Sequence, residues 1–271
     1  MTQVVEQGAP ARTPTGGVGW SGRLGHVVTV AVAIGLGLAV WQLLSMQYDP
    51  AFLPGPADTA RSAVELAADG TLVASAVASM QRIGAGWGLG LVIGVPLGLV
   101  IGQVRLLRRL LDPYLQFFRF VPPISFVTMS IIWFGIGDAS KIFLIFYTTV
   151  FVVVLSTTAG VASVDPLRLQ AARSLGASRT QVVGSVVVPS VLPHIVVGAR
   201  LAMGNSFLTI VSAEIVAAET GVGALIWTAR NYGQTEWVFV GIVMLGVLGL
   251  LCDLAIRLIT RLTLHRFEVP S

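Results

Sequence analysis

Long uncharged stretches alternate along this chain with short segments that carry nearly all of its charge. Apolar runs at Val27 to Tyr48, about Ile83 to Gly102, Tyr114 to Phe134, Ile142 to Val164, Val191 to Ala218 and Val238 to Ile259 each approach the roughly 20 residues a helix needs to cross the hydrocarbon core. The pattern predicts an all-α polytopic membrane protein with six transmembrane helices and both termini on one side. The first run follows a polar, Arg-containing start, as a signal peptide would. It is longer than an h-region, however, and no small-x-small cleavage site follows the run before Asp49, which favours an uncleaved span. Pro54-Gly55-Pro56 then breaks the chain, and Ala57 to Ala68 is expected to form a short helix outside the membrane.

Within the spans, Gly86, Gly90, Gly94, Gly98 and Gly102 recur every fourth residue, so one face of the second span admits another helix to backbone contact. That partner is either a helix of the same bundle or a second copy of the chain. Pro96, and Pro122-Pro123 in the third span, should bend or interrupt their helices and free carbonyls that need partners in protein or in a wet cavity. Arg119, Arg200, Asn205, Glu214 and Asp253 also fall within spans, where each polar group should face a partner or a cavity. Arg119 reads either as a snorkelling side chain at the boundary or as a group of a permeation path. Glu214 and Arg200 are about 21 Å apart along one helix and cannot pair within a subunit. Glu214 therefore meets another polar group at the outer side, or contacts substrate. Trp41, Trp87, Trp133, Trp227 and Trp237 lie near span ends or in outer loops, with Trp20 ahead of the first span, as interfacial anchors would.

Composition narrows the class. Of 271 residues 55% are hydrophobic and 11% charged, at a mean hydropathy of +0.84, against about a quarter charged in soluble domains. That composition argues against a soluble enzyme. The 30 glycines do not fall at every third position, which excludes collagen. The formal charge of +4 would suit nucleic acid in a soluble protein, but here it belongs to cytoplasmic loops, and no nucleic-acid partner is expected. With the N-terminus inside, inner segments hold Arg12, Arg23, Arg105, Arg108, Arg109, Arg168, Arg173, Arg179, Arg257, Arg261 and Arg266, while outer segments hold Arg61, Arg82, Lys141 and Arg230. Positive charge is retained in the cytoplasm, so both termini should be cytoplasmic. A single cysteine, Cys252, allows no intrachain disulfide, and no metal site is apparent.

The segment Ser163 to Pro193 carries the sharpest local signals. Asp165 is an N-cap candidate, Pro166 suits the first helical position, and Gly176 suits a left-handed C-terminal cap. Ser178 and Gln181 have capping-box spacing for a second helix, after which Pro189 and Pro193 set the entry into the membrane. The product is a small Ala-rich, Arg-studded elbow on the cytoplasmic face, suited to a partner's groove. Its apolar residues are too few to hold it on lipid.

Gln170-Ala171-Ala172, three residues, Gly176, nine residues and Val186-x-Val188-Pro189 resemble the EAA loop of permease subunits of binding-protein-dependent ATP-binding cassette importers. Pro122 to Phe143, Gly198 to Phe207, Ala213-Glu214 and Gly221-Val222-Gly223 resemble the aliphatic sulfonate, taurine and nitrate permease branch. The resemblance covers roughly Val73 to Arg266. It implies a five-helix permease core preceded by one N-terminal helix: a tail at 1–25, the first transmembrane helix and external linker helix at 26–72, the core at 73–266 with a coupling loop at 163–190, and a tail at 267–271. It further implies a multi-pass protein of the bacterial inner membrane that works as a homodimer with a second permease copy. Two cytoplasmic cassette ATPases, which would bind ATP and Mg, and an extracytoplasmic solute-binding protein complete the assembly. No cofactor is expected in this chain. Gln170 stands where the family usually has Glu, which replaces a charged contact by a neutral hydrogen bond, and Ser125 and Thr128 stand where the sulfonate-like pattern has Ala and Pro.

On this reading Gln170, Ala171, Ala172, Arg173, Gly176, Ala177, Ser178 and Gln181 couple to the ATPase. Arg119, Pro122, Ser125, Thr128, Met203 and Asn205 are candidates for the translocation path, and Arg119 and Arg200 would suit an anionic solute. No Walker loop is encoded, since the only lysine, Lys141, follows Ser140. Two other functions compete. An intramembrane hydrolase could use Gly204-Asn205-Ser206 or Gly176-Ala177-Ser178 as a nucleophile turn, but His194 lies about 18 Å from Ser206 along one helix. A self-sufficient secondary transporter would often show two related halves, which are not evident here, and would have no use for the elbow.

Overall fold

In the computed structural model, which describes residues 20–264, the four-residue glycine period becomes a helix contact. Helix α3 (Thr71–Gln103) lies along α6 (Asp138–Ala162), with Gly86 against Ile145, Gly90 against Thr149, Gly94 against Val153, Gly98 against Thr157 and Gly102 against Val161. A Cβ at Gly98 would come within 2.6 Å of Thr157 Cβ and 2.9 Å of the Val154 carbonyl, whereas nothing lies within 4 Å of one at Gly84 or Gly88. The stripe is thus used within one subunit. Because both series of numbers rise together, α3 and α6 run parallel. Two consecutive parallel spans require a return, and α4 (Arg105–Phe120) and α5 (Val127–Phe134) supply it, joined by a 3-10 turn at Pro123–Phe126.

This return corrects the expected third span, Tyr114 to Phe134. It begins at Arg105 and is bent by 90°. The cause is local. Pro122 has no N–H for the Phe118 carbonyl, which instead accepts from the Val121 N–H at 3.2 Å and from Tyr147 Oη at 2.7 Å. The Phe118 carbonyl freed by the break is thus satisfied by protein, as backbone in a membrane must be. Pro96, in contrast, leaves α3 continuous over 33 residues, because the contacts of Gly94 and Gly98 hold the helix on both sides of it.

Helix α9 (Val188–Ala217) runs antiparallel on the other side of α6, with Gly160 under His194, Gly198 under Ser156, and hydroxyl pairs Thr149···Ser206 and Thr148···Thr209 at 3.3 and 3.0 Å. Small residues on two faces let α6 be sandwiched closely. Helix α11 (Thr235–Leu264) returns along α9, and Ile83, Ile145, Met203, Phe207 and Ile210 form the shared core, flanked by Trp87, Leu245 and Cys252. Trp87 is therefore not an interfacial anchor. It is half-buried, and its indole N–H donates to the Ala199 carbonyl at 2.9 Å.

Helix α1 (Trp20–Ser45) is exposed along most of its length and is held at its last turns, where Trp41 donates to the Pro54 carbonyl at 3.0 Å and stacks on Phe239. The short outer helix appears as α2 (Pro56–Ala68), which buries Leu66 with Leu72, Leu225 and Val240. Among the described residues five helices are long and apolar enough to cross a membrane, and the bent α4–α5 pair would make a sixth. Arg12, His265, Arg266, the 267–271 tail and the first 19 residues of the N-terminal tail lie outside the described residues, as do the side chains of Trp20, Arg23 and His26.

Candidate coupling and translocation site

The elbow is built by its caps. In α7 (Pro166–Ser174), the Asp165 carboxylate accepts from the Leu167 N–H at 2.8 Å. The helix stops at Gly176, whose φ of +80° suits glycine. Its N–H donates to the Arg173 carbonyl at 3.0 Å and that of Ala177 to Ala172 at 3.1 Å, the paired bonds of a Schellman stop. Two residues later α8 (Arg179–Val182) begins on a complete capping box: the Ser178 N–H donates to Gln181 Oε1 at 2.8 Å and the Gln181 N–H to Ser178 Oγ at 3.4 Å.

One expectation needs correction here. The second elbow helix is not separate from the fifth span, because α8 passes through a π turn at Val183–Val187 directly into α9, and the helical segment runs from Arg179 to Ala217. Pro189 cannot donate to the Ser185 carbonyl, and the wider turn absorbs this by pairing the Val188 N–H with Val183. The elbow is therefore an extension of a core helix. Its inner side, Leu169, Ala172 and Ala177, packs on Val164, Val182, Val187 and Val191. Gln170, Ala171, Arg173, Gly176, Ser178 and Gln181 are exposed, Leu175 is 88% exposed, and a groove of about 370 Å³ lies at the corner between Ala172, Leu175, Gly176 and Gln181.

Of the residues proposed from sequence for a path, Arg119, Pro122, Ser125 and Thr128 gather around the α4–α5 break and are all exposed. The Arg119 guanidinium lies 4.6 Å from the centroid of the Phe120 ring. Met203 does not join them. It is 8% exposed within the core, and two residues on a helix are separated by about 200°, so Met203 and the half-buried Asn205 cannot share a face. Arg200 is also not a free cation: it pairs with Asp253 at 2.9 Å, and Asp253 with Arg257 at 2.7 Å. The hydrolase constellation is not assembled, since Ser206 Oγ donates to the Ala202 carbonyl at 2.8 Å and His194 packs on Gly160.

At the opposite end lies a lock that sequence reasoning saw only in part. Glu214, with no exposed side chain, accepts from Arg82 Nη1 at 2.7 Å, Ser79 Oγ at 2.8 Å and the Gly223 N–H at 2.9 Å. Arg82 also bonds Asp138 at 2.7 Å and the Thr220 carbonyl at 2.6 Å. Thus α3, α6, α9 and α10 (Val222–Asn231) are tied at one point. Arg82 and Lys141, expected among the outer-segment charges, are buried within α3 and α6 at this end, and Lys141 donates to the Gly137 carbonyl. The signal that could have found the pair is a lone acid deep in an apolar run, which demands a cation, with Arg82 on the adjoining span.

Residues 94–265 match the family of binding-protein-dependent transport system inner membrane components. The chain is 35% identical over 254 residues to the taurine transport system permease protein TauC of Escherichia coli (strain K12), covering 89% of this chain and 91% of that one. It is 30% identical over 236 residues to the nitrate import permease protein NrtB of Synechocystis sp., covering 84% and 86%. A chain of the inward-facing MetNI methionine ABC transporter superposes with a TM-score of 0.63 at 21% identity, covering 70% of this chain and 95% of that one, a likeness of fold.

Proposed function

This chain belongs to the binding-protein-dependent inner-membrane permeases of ABC transporters, and from that premise we propose that it carries a small oxyanion of the sulfonate or nitrate class inward across the membrane. Two relatives are named for taurine and nitrate, both anionic or zwitterionic solutes with a planar or tetrahedral oxygen array. The reading has six spans, counting the α4–α5 pair as one, with both termini and the elbow cytoplasmic. The described basic residues support that orientation: Arg105, Arg108, Arg109, Arg173 and Arg179 lie at the elbow end. The divisions at 1–25, 26–72, 73–266 and 267–271 stand as part of the same reading.

One observation carries the mechanism: the capped elbow is continuous with α9, which ends in the buried carboxylate of Glu214. A push on Gln170 to Gln181 by a closing ATPase then passes through the capped corner at Gly176 into the single helical segment Arg179–Ala217, which reaches the opposite side of the bundle. The permease acts as a homodimer with a second copy, with two ATPases below it and a solute-binding protein outside. ATP hydrolysis belongs to the partners, and ATP and Mg bind there. Solute passes the exposed break residues Arg119, Pro122, Ser125 and Thr128, with Asn205 nearby in the path. Gln170 makes a neutral hydrogen bond to the ATPase.

Purification of the tagged chain from its native membrane, with identification of what accompanies it, tests the assembly. A cassette ATPase and a binding protein are expected, whereas repeated recovery of a lone chain would transfer the weight to a self-sufficient transporter. In the reconstituted complex Gly176→Pro should abolish solute uptake while ATP hydrolysis continues, because proline cannot adopt the positive φ at the corner. Full uptake in that variant would refute the coupling role.

A further inference from the structure

The α3–α4 corner and the elbow, distant in sequence, enclose a cleft of about 860 Å³. Its wall holds Arg105 and Arg108 from one side, Arg173 and Arg179 from the other, and no carboxylate, over an apolar floor that includes Val164, Val182 and Val187. Arg61, Arg82, Arg200 and Arg257 each have a carboxylate within 4 Å; these four have none among the described residues. Asp112, one turn from Arg108 on α4, lines an adjoining recess with Arg105, Arg108 and Arg109 but forms no salt bridge with them. Four arginines lining one cleft with no salt bridge among the described residues offer the forked donors that the oxygen array of a phosphate accepts.

The surroundings choose the source of that phosphate. The cleft opens where α3 and α6 end, at Gln103 and Ala162, the level at which apolar spans meet headgroups. Beside it α4 turns Leu106, Leu110, Tyr114 and Phe117 outward, each more than half exposed, while Leu107 and Leu111 are partly covered. An exposed apolar stripe adjoining unpaired arginines is what an acyl chain and its headgroup require together. We propose that this cleft binds a phosphate-class oxyanion, the headgroup of an anionic phospholipid whose acyl chain lies along α4. The inference depends on the permease reading only for the leaflet that the cleft faces.

The test uses the intact transporter complex in nanodiscs of phosphatidylcholine with or without phosphatidylglycerol, and counts retained lipid by native mass spectrometry. Arg105→Gln with Arg108→Gln should lower phosphatidylglycerol retention at least tenfold and leave phosphatidylcholine unchanged, with Arg105→Lys/Arg108→Lys retaining most of it. The same charge change outside the cleft, Arg168→Gln with Arg261→Gln, should have no such effect. Equal retention in the wild type and the cleft variant, or equal loss in both variants, would overturn the site. Saturable binding of inorganic phosphate in pure phosphatidylcholine, lost in the cleft variant and without phosphatidylglycerol retention, would overturn the lipid source. ATPase association, measured in the same samples, reports separately on the permease reading, so failure of one is distinguishable from failure of the other.

Discussion

Helix α3 ends in two opposite treatments of arginine. In its first half Arg82, 7% exposed at the side chain, meets two carboxylates, a carbonyl and a hydroxyl, and its partner Glu214 is fully enclosed. Beyond its last turn Arg105 and Arg108 stand exposed, with no carboxylate in contact. The first guanidinium is committed to joining four helices and is expensive to disturb, because removing one member leaves a charge where water cannot reach. The second pair contributes little to holding the fold and is free to meet something from outside. The same residue type is structural at one end and receptive at the other, and burial with a partner makes the difference.

The strongest test of this contrast is Glu214→Gln. It leaves Arg82 buried with only the 63%-exposed Asp138 as a counter-charge and should cost about 3–5 kcal/mol. The loss would be read as a lowered midpoint of thermal inactivation in detergent. Asp138→Asn, at the exposed edge of the same cluster, should cost no more than about 1 kcal/mol; an equal cost for both would place the lock elsewhere. The scaffold joining the two ends comes next. Gly98→Val must push Thr157 and the Val154 carbonyl away, at about 1–3 kcal/mol, whereas Gly88→Ala meets nothing and should be neutral or slightly stabilising.

Ser178→Ala removes one half of the capping box and should cost about 1 kcal/mol. Faster hydrogen exchange at the Gln181 amide would reveal it while exchange in the core stays unchanged. Smallest of all, Arg105→Gln should change stability by less than about 0.5 kcal/mol. A loss comparable with that of Glu214→Gln would erase the distinction between the two ends of α3.

Much of the elbow was legible because its determinants are local. Asp165 to Leu167, Ala172 to Ala177 and Ser178 to Gln181 are bonds spanning two to five residues, and residue type at those spacings is enough to predict them. The family resemblance through Gln170-Ala171-Ala172 and Gly176 was legible for the same reason. The path was less so: four of its candidates cluster at the Pro122 break, but Met203 turned inward, and nothing in its immediate neighbours distinguishes a core position from a lining one on a helix that is apolar on most sides.

Sequence by itself determined that the chain is helical and belongs in a membrane, where the elbow turns, and that α3 carries a face open to close approach. Those properties depend on hydropathy, on glycine and proline backbone limits, and on caps a few residues long. Only the tertiary structure decided that the glycine face is filled by α6 running parallel, that Arg82 reaches Glu214 across 132 positions, that Asp253 occupies Arg200, and that four other arginines line one cleft without a salt bridge among the described residues. Charge is a property of a residue, but its neutralisation depends on which helices pack together, and that is settled by the fit of small residues across α3, α6 and α9.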